Sequence, residues 1–199
     1  MKEKYNKEYY TTKNYENYLN KCDRYQKLAI EIFDLFNKIC ILQEKKSKIL
    51  DYGCAVGFLL DGIRKIGYDN LYAYDISEWA LSRIKNHKIL KYEDIFNNNF
   101  DATFMLDVLE HMEEDEIKDL LSKLSSEIII VRIPVALETG KNFLLEVSRA
   151  DDTHVNCKTK SEWIKIFKDF GYDRLLKINL NNIYDSDGVF CAIFFKNME

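Results

Sequence analysis

The chain has 199 residues, of which 47% are hydrophobic and 31% charged, and its formal net charge is −4. This length and composition predict a single domain with a sizeable core, and the acidic balance argues against a nucleic-acid partner. The sequence contains no apolar run long enough to cross a membrane, no signal-peptide core and no CxxC pair, so we expect a cytoplasmic protein with reduced thiols.

The first 45 residues predict an amino-terminal helical segment. Residues 1–20 are polar and rich in tyrosine, which indicates either a plain surface segment or a lid that folds over a bound ligand. A lid would bring Tyr10 or Tyr18 against that ligand. From Tyr18 to Leu42 the apolar residues recur at helical spacing, which predicts one amphipathic helix.

Residues 46–199 alternate between strand and helix patterns, which predicts right-handed crossovers and a mostly parallel sheet. Only the short segment Asn181–Gly188 separates the last two strands, so we expect these two to pair antiparallel. The predicted fold class is α/β, with a Rossmann-like, doubly wound, seven-stranded sheet, its last strand antiparallel, and helices on both faces. The predicted strands are Lys48–Tyr52, Asn70–Tyr74, Ile89–Tyr92, Ala102–Leu106, Glu127–Ile133, Arg174–Leu180 and Val189–Phe195. The predicted helices between them are Val56–Ile66, Glu78–Lys85, Glu113–Leu124 and Lys160–Phe170.

A glycine turn follows the first predicted strand, with the pattern Asp51-x-Gly53-x-Ala55-x-Gly57. Gly53 allows a sharp turn and a close ligand, and Gly57 allows the next helix to pack tightly. A dinucleotide turn would read G-x-G-x-x-G and hold a pyrophosphate, whereas a carboxylate just before the turn repels a pyrophosphate and attracts an amino group. Asp75 ends the second predicted strand, where its oxygens can accept both hydroxyls of a ribose. The pattern therefore predicts a pocket for a nucleoside-containing cofactor.

Four motifs follow one another near the ends of the first four predicted strands. They are Asp51–Gly57, Tyr74–Ser77, Glu93–Phe96 and Phe104–His111. In this order and at these intervals they resemble the cofactor motifs of the class I S-adenosylmethionine-dependent methyltransferases, and the predicted terminal hairpin matches the sheet of that family. The Asp-Val-Leu-Glu-His form of Asp107–His111 resembles the small-molecule branch that includes the ubiquinone-biosynthesis type.

The resemblance implies methyl transfer with S-adenosylmethionine as cofactor and S-adenosylhomocysteine as product. It also implies that the glycine turn holds the methionine end of the cofactor, that Asp75 holds the ribose, and that Asp94 and the Ile95 backbone hold the adenine. The implied cofactor-binding residues are Asp51, Gly53, Cys54, Ala55, Gly57, Asp75, Ile76, Asp94, Ile95, Leu106, Asp107 and Val108. Ala55 departs from the family pattern, where a third glycine is commoner, and it fits only if its φ stays negative.

Other interpretations of these residues stay open. Asp51 can merely cap the turn, and Asp75 can be the N-cap of a helix that starts at Glu78. Glu93 can face the pocket in place of Asp94. A nicotinamide-dependent oxidoreductase or epimerase is an alternative of another class. It needs a pyrophosphate-binding turn, which Asp51 and the four-residue interval between Gly53 and Gly57 do not offer. A catalytically silent methyltransferase-like subunit is a third.

The sequence lacks two motifs with which methyltransferases bind particular methyl acceptors. The segment after Leu106 is not the Asn-Pro-Pro-Tyr type that holds an amino group on a base or glutamine. The fifth predicted strand ends without the Asp-Asn pair that would join Asp107 around a magnesium ion. We therefore expect no metal, and an acceptor hydroxyl, amine or carbon on a small molecule such as a sugar or other secondary metabolite.

Two histidines are candidate catalytic residues. His111 follows the fourth predicted strand, and His154 lies in an Asp-x-Thr-His segment similar to one that borders the acceptor site in the resembling families. With Asp151 or Asp152 beside it, His154 can act as a general base. Alternatively, it organises its loop by bonding the backbone or a carboxylate.

The long irregular segment Pro134–Asn156 is the predicted site of acceptor recognition. Arg132 and Arg149 can hold a carboxylate or phosphate there, with Asp152 as a third substrate-binding candidate, although a solvated arginine is the simpler interpretation. The sequence leaves the oligomeric state open.

Overall fold

The structure is a computed structural model that describes residues 4–12, 15, 17–183 and 186–197. The chain divides into two compact units, one comprising Met1–Asn97 with Leu180–Tyr184 and the other Asn98–Asn179 with Asp185–Glu199. The predicted division into residues 1–45 and 46–199 stays a prediction. Among the helices in the described ranges, none is both long and apolar enough to span a membrane.

The first unit carries three parallel strands with helices before and between them. The strands are β1 (Ile49–Tyr52), β2 (Leu71–Tyr74) and β3 (Lys88–Ile89), and the helices are α1 (Cys22–Lys38), α2 (Phe58–Lys65), α3 (Glu78–Leu81) and α4 (Tyr92–Ile95). Strand β2 pairs in parallel with β1 on one side and with β3 on the other. All four residues of β1 are buried, as expected for a parallel strand covered on both faces.

Several element boundaries in this unit differ from the prediction, and those of β3 and α1 have a clear physical reason. The third strand is only Lys88–Ile89, and part of the predicted strand, Tyr92, instead begins the helical turn α4. Both residues of β3 are exposed at the edge of the sheet, so no alternation of apolar and polar residues marks its limits. Helix α1 ends at Lys38 because Cys40 and Leu42 adopt positive φ angles of 57° and 49°, which a right-handed helix cannot contain.

Helices α1 and α2 pack against each other at Gly62. A Cβ atom on Gly62 would lie 2.8 Å from Ala29 Cβ and 2.9 Å from Gln26 Cα, closer than atoms can approach without movement of the helices. We expect Gly62→Ala to lower the free energy of unfolding by about 1–2 kcal/mol, since overpacking outweighs the better helix propensity of alanine. Urea unfolding measures this change. The exposed Lys27→Ala on α1 is the control and should stay within about 0.5 kcal/mol of the original chain.

The second unit carries four strands and the remaining helices. The strands are β4 (Asn99–Leu106), β5 (Ser125–Pro134), β6 (Arg174–Lys177) and β7 (Val189–Phe195), and the helices are α5 (Glu114–Lys123), α6 (Glu146–Arg149), α7 (Lys160–Asp169) and a 3₁₀ turn (Leu109–His111). Strands β4 and β5 are parallel, and β7 runs antiparallel to both β5 and β6. The core of this unit lies where Phe167 of α7 stacks on Phe194 of β7, with ring centroids 4.3 Å apart.

The seven strands form one sheet in the order β3-β2-β1-β4-β5-β7-β6. The strands are parallel within each described pair except those that involve β7. The predicted fold class, an α/β Rossmann-like sheet of seven strands with the last one antiparallel, is confirmed.

Candidate functional site

The glycine turn after β1 places three residues in the left-handed region. The φ angles are 82° at Gly53, 48° at Ala55 and 84° at Gly57. The expectation that Ala55 keeps a negative φ is therefore wrong. This conformation costs a residue with a Cβ about 1–2 kcal/mol, but it directs the Ala55 N–H to Asp75 Oδ2 at 2.8 Å. A hydrogen bond to a charged group contributes about 1.5–3 kcal/mol, enough to offset the strain.

The Asp75 carboxylate is fixed by the backbone on both sides. Its Oδ1 accepts the Ser77 N–H at 2.7 Å, and its Oδ2 accepts the Ala55 N–H. Burial raises the pKa of Asp75, and these two hydrogen bonds and the neighbouring Tyr10 hydroxyl oppose that rise. The N-cap of α3 is Ser77, whose Oγ accepts the Ala80 N–H at 3.1 Å, so Asp75 does not cap this helix. A carboxylate offers about four acceptor positions, so Asp75 keeps capacity for a ligand hydroxyl.

Asp51 lies on β1, directly opposite Ala73 of β2, and is only 4% exposed. Burial, and then the charge of Asp75, raise the pKa of Asp51 to about 8. The carboxyl group therefore holds a proton at neutral pH unless a cation lies against it. Burial also raises the pKa of the Cys54 thiol well above its ordinary value, which makes this residue an inert part of the turn.

The tyrosine-rich segment packs against the glycine turn in the first unit. Tyr10 and Tyr18 are buried in one cluster with Val56 of the turn and Ala80 of α3. The Tyr10 ring also stacks on Trp79 at a centroid distance of 5.5 Å. These contacts place the described part of the segment against the glycine turn, and a lid over a bound ligand stays a prediction. Residues 13, 14 and 16 lie outside the described residues.

The predicted adenine-binding residues lie in and beside the helical turn α4. Ile95 is fully buried, whereas Asp94 is exposed in this structure. Ile76, between Asp75 and Ser77, is half-buried. Their contacts with an adenine stay predictions.

In the second unit, the residue that follows β4, Asp107, has a strained backbone and pairs with Arg132. Asp107 has a φ of 57°, and its N–H donates to the Arg132 carbonyl at 2.8 Å. The Arg132 guanidinium in turn forms an ion pair with the Asp107 carboxylate. Burial would lower the pKa of Arg132, but the charge of Asp107 and its hydrogen bond raise it above the ordinary value. Arg132 therefore orients Asp107, and its predicted role in acceptor binding stays a prediction. Leu106 and Val108, the other predicted cofactor residues here, are half-buried on either side of Asp107.

The other predicted acceptor-binding residues lie at the surface of this unit. Arg149 is exposed and makes a long contact of 3.4 Å to the Leu144 carbonyl. Asp152 is exposed as well. No ligand contact tests either residue, so both remain candidates.

His111 and His154 come together with a residue that the sequence analysis missed. Their rings meet edge to face with centroids 4.6 Å apart, and the carboxylate of Glu110 lies beside them. One donor atom from each of these three side chains lies within 4.8 Å of the others, a separation from which they could hold a metal ion.

Burial changes the protonation of all three side chains. Burial, and then the charge of the neighbouring His154, lower the pKa of His111 to about 4, and burial also lowers the pKa of His154. Both rings are therefore neutral at neutral pH. Burial raises the pKa of Glu110.

Comparison with known proteins identifies the family. A family model described as a methyltransferase domain matches residues 23–177. Among solved structures, a SAM dependent methyltransferase from Archaeoglobus fulgidus is 15% identical, with a TM-score of 0.63 over 91% of this chain and 100% of that chain. The methyltransferase domain of bacterial CtHen1-C is 19% identical, with a TM-score of 0.60 over 88% and 100%. Magnesium protoporphyrin IX methyltransferase from Synechocystis PCC 6803 is 17% identical, with a TM-score of 0.57 over 87% and 80%. No curated protein sequence matches the chain.

At these identities the solved structures show the fold alone, whereas the family model spans more than half of the chain. The resemblance of the four motifs to those of the class I S-adenosylmethionine-dependent methyltransferases is thereby confirmed. The chain belongs to the methyltransferase-domain family.

Proposed function

We propose that the protein transfers the methyl group of S-adenosylmethionine to a small-molecule acceptor and releases S-adenosylhomocysteine. The observation that carries this proposal is the arrangement of two buried carboxylates at the ends of β1 and β2. Asp75 is held by the amides of Ala55 and Ser77, and Asp51 is buried in the adjacent strand. S-adenosylmethionine is the methyl donor of class I methyltransferases, and its ribose and ammonium groups suit these two carboxylates.

The same carboxylates argue against the nicotinamide alternative. A nicotinamide cofactor needs a turn whose amides face a pyrophosphate, with no acid beside them. Here the Ala55 amide is committed to Asp75, and the Gly53 amide donates to the Tyr74 carbonyl at 2.8 Å. The buried Asp51 in the same place favours a cation over an anion.

In the proposed reaction, a lone pair of the acceptor attacks the methyl carbon while the sulfur–carbon bond breaks. The sulfonium becomes a neutral thioether, and the acceptor gives up its proton. Because the donor is already activated, alignment and removal of this proton are what the protein supplies. We assign proton removal to the neutral His111–His154 pair of the second unit, in which His154 belongs to the segment Pro134–Asn156.

The acceptor is proposed to be a small molecule, a sugar or other secondary metabolite, in the cytoplasm. The segment Pro134–Asn156, the proposed recognition segment, presents apolar side chains at its surface. Leu137 is 79% exposed and Val155 is 50% exposed. Such side chains suit an acceptor with an apolar part, and the chain's net charge of −4 disfavours a nucleic acid.

Two measurements on the purified full chain test this function. Isothermal titration calorimetry should detect S-adenosylhomocysteine binding at one site. Incubation with S-adenosylmethionine and a metabolite mixture should then release S-adenosylhomocysteine. Absence of cofactor binding, or NADH binding detected by fluorescence in its place, would overturn the proposal. Binding without any turnover would favour the silent subunit.

A further inference from the structure

The side chains of Glu110, His111 and His154 form a polar cluster inside the second unit. Glu110 and His111 are presented by the 3₁₀ turn after β4, and His154 comes from the loop before α7. The amides of Val155 and Asn156 both donate to the Glu110 carbonyl, at 2.9 Å and 3.0 Å. These two backbone hydrogen bonds attach the loop to the turn, so the cluster is built by the fold rather than by chance surface proximity.

Both histidines are oriented through Nδ1. His154 Nδ1 lies 2.9 Å from the Ser148 carbonyl, which can only accept, so Nδ1 carries the proton. The single hydroxyl hydrogen of Thr153 is directed to Asp151 Oδ1 at 2.6 Å. His111 Nδ1 must therefore donate to Thr153, whose hydroxyl and carbonyl oxygens lie at 2.9 Å and 3.3 Å. In each neutral ring the lone pair is then on Nε2. A metal-binding histidine is held in this way, with its other nitrogen donating to a carbonyl or a similar acceptor.

One oxygen of the Glu110 carboxyl group lacks a hydrogen-bond partner in the described part of the chain. Glu110 is 1% exposed, and its Oε2 has no hydrogen-bond partner among the described residues. Its Oε1 lies 4.0 Å from His154 Nε2, and Asp151 Oδ2 lies 3.8 Å from the same nitrogen. The lone pair of His154 Nε2 thus faces oxygen atoms of two carboxyl groups, a set of donors that a cation placed between them can bind. A buried polar atom without a partner is costly, and a bound cation would supply the partner that Glu110 Oε2 lacks.

We propose that Glu110, His111 and His154 bind one divalent transition-metal cation, with Asp151 as the neighbouring carboxylate. Two imidazoles and one carboxylate suit Zn²⁺, Fe²⁺ or Mn²⁺ better than Ca²⁺ or Mg²⁺. Ligand atoms around such an ion stand about 3–3.5 Å apart, so binding draws the donor atoms together by up to about 1.5 Å. Three protein ligands leave coordination positions open, which distinguishes a catalytic from a structural site.

The chemical role of the cation rests on the proposed methyl transfer. A hydroxyl oxygen of the acceptor can occupy an open position, where the cation lowers the pKa of the hydroxyl. As the new oxygen–carbon bond forms and the sulfur–carbon bond breaks, the acceptor proton passes to the carboxylate of Asp151, whose Oδ2 lies 3.8 Å from His154 Nε2. With the cation bound, the Nε2 atoms of His111 and His154 are its ligands, so Asp151 replaces the histidine pair as the base. The expectation of no metal rests on the missing Asp-Asn pair beside Asp107, whereas the proposed site is built from Glu110, its neighbour His111, and His154.

Calorimetry on untagged, chelator-treated full chain tests the site with Zn²⁺ and Mn²⁺ as separate probes. One equivalent of at least one of these ions should bind. Glu110→Gln and His154→Gln should each weaken that binding by about 100-fold or more, since each removes one ligand but keeps the side-chain size. His87→Gln is the control, since His87 lies in the first unit and bonds Asp61 at 2.8 Å.

The outcomes separate this proposal from the proposed function. S-adenosylhomocysteine binding should survive in Glu110→Gln, and that variant is the check that the chain is folded. A protein that binds S-adenosylhomocysteine but neither metal, or whose metal affinity is unchanged in both variants, would overturn the metal site and leave the methyltransferase function standing. A protein that binds metal at Glu110 and His154 but no S-adenosylhomocysteine would refute the methyltransferase function and keep the site.

Discussion

Replacing Asp75 with alanine should weaken S-adenosylhomocysteine binding by about 100-fold. In the proposed complex this carboxylate accepts both ribose hydroxyls, and hydrogen bonds to a charged group contribute about 1.5 kcal/mol or more each. The substitution also removes the acceptor for the Ala55 and Ser77 amides, so the glycine turn loses the contacts that fix it. Titration calorimetry measures the change in Kd, and circular dichroism checks that the variant is folded.

Two further variants make this result interpretable. Asp75→Asn keeps one oxygen for a backbone amide and should weaken binding by about tenfold, since it loses the charge and one acceptor. Asp69→Ala removes an exposed carboxylate from the same unit and should leave the Kd within about twofold. Unchanged affinity in folded Asp75→Ala would show that Asp75 serves only to hold the turn, and the ribose assignment would be wrong.

The fold could be predicted from the sequence because the buried strands of this sheet coincide with runs of apolar residues. Strand β7 was predicted with the observed limits, Val189–Phe195, since nearly all of its residues are buried and the run of apolar residues ends where burial ends. Strand β3 was misplaced because Lys88 and Ile89 are both exposed and give no such pattern. Helix α4 was missed for a related reason, since four residues are too few to show a helical period.

The candidate site could be proposed from the sequence only where its residues follow one another at regular intervals along the chain. The glycine turn and Asp75 are candidates because of their spacing, but the positive φ of Ala55 accompanies its hydrogen bond to Asp75, a contact between two strand ends. Glu110 was missed because its significance depends on His154, which the fold brings from another loop. Single-sequence patterns carry no signal for such tertiary contacts.

Asp51 should couple cofactor binding to pH. Burial and the charge of Asp75 raise the pKa of Asp51 to about 8, so the cofactor-free protein holds a proton there at pH 7. A cofactor ammonium beside this carboxyl favours its charged form, so binding should release a proton. Between pH 6 and 8 the affinity for S-adenosylhomocysteine should therefore rise by up to about tenfold per pH unit, and level off above pH 8. Calorimetry in two buffers of different ionisation enthalpy counts the released proton.

The same group should make the cofactor-free protein less stable as the pH rises. An unfolded aspartate ionises near pH 3.9, whereas folded Asp51 keeps its proton up to about pH 8. Between these values the folded state binds more protons than the unfolded state, so the free energy of unfolding falls with increasing pH. Asp51→Asn should remove this fall and raise the thermal midpoint at pH 8. The same substitution should weaken S-adenosylhomocysteine binding and abolish the pH dependence of that binding. Asp69→Asn, at an exposed position, should change neither property. A pH dependence of binding that persists in Asp51→Asn would assign the proton to another group and leave Asp51 as a cap of the turn.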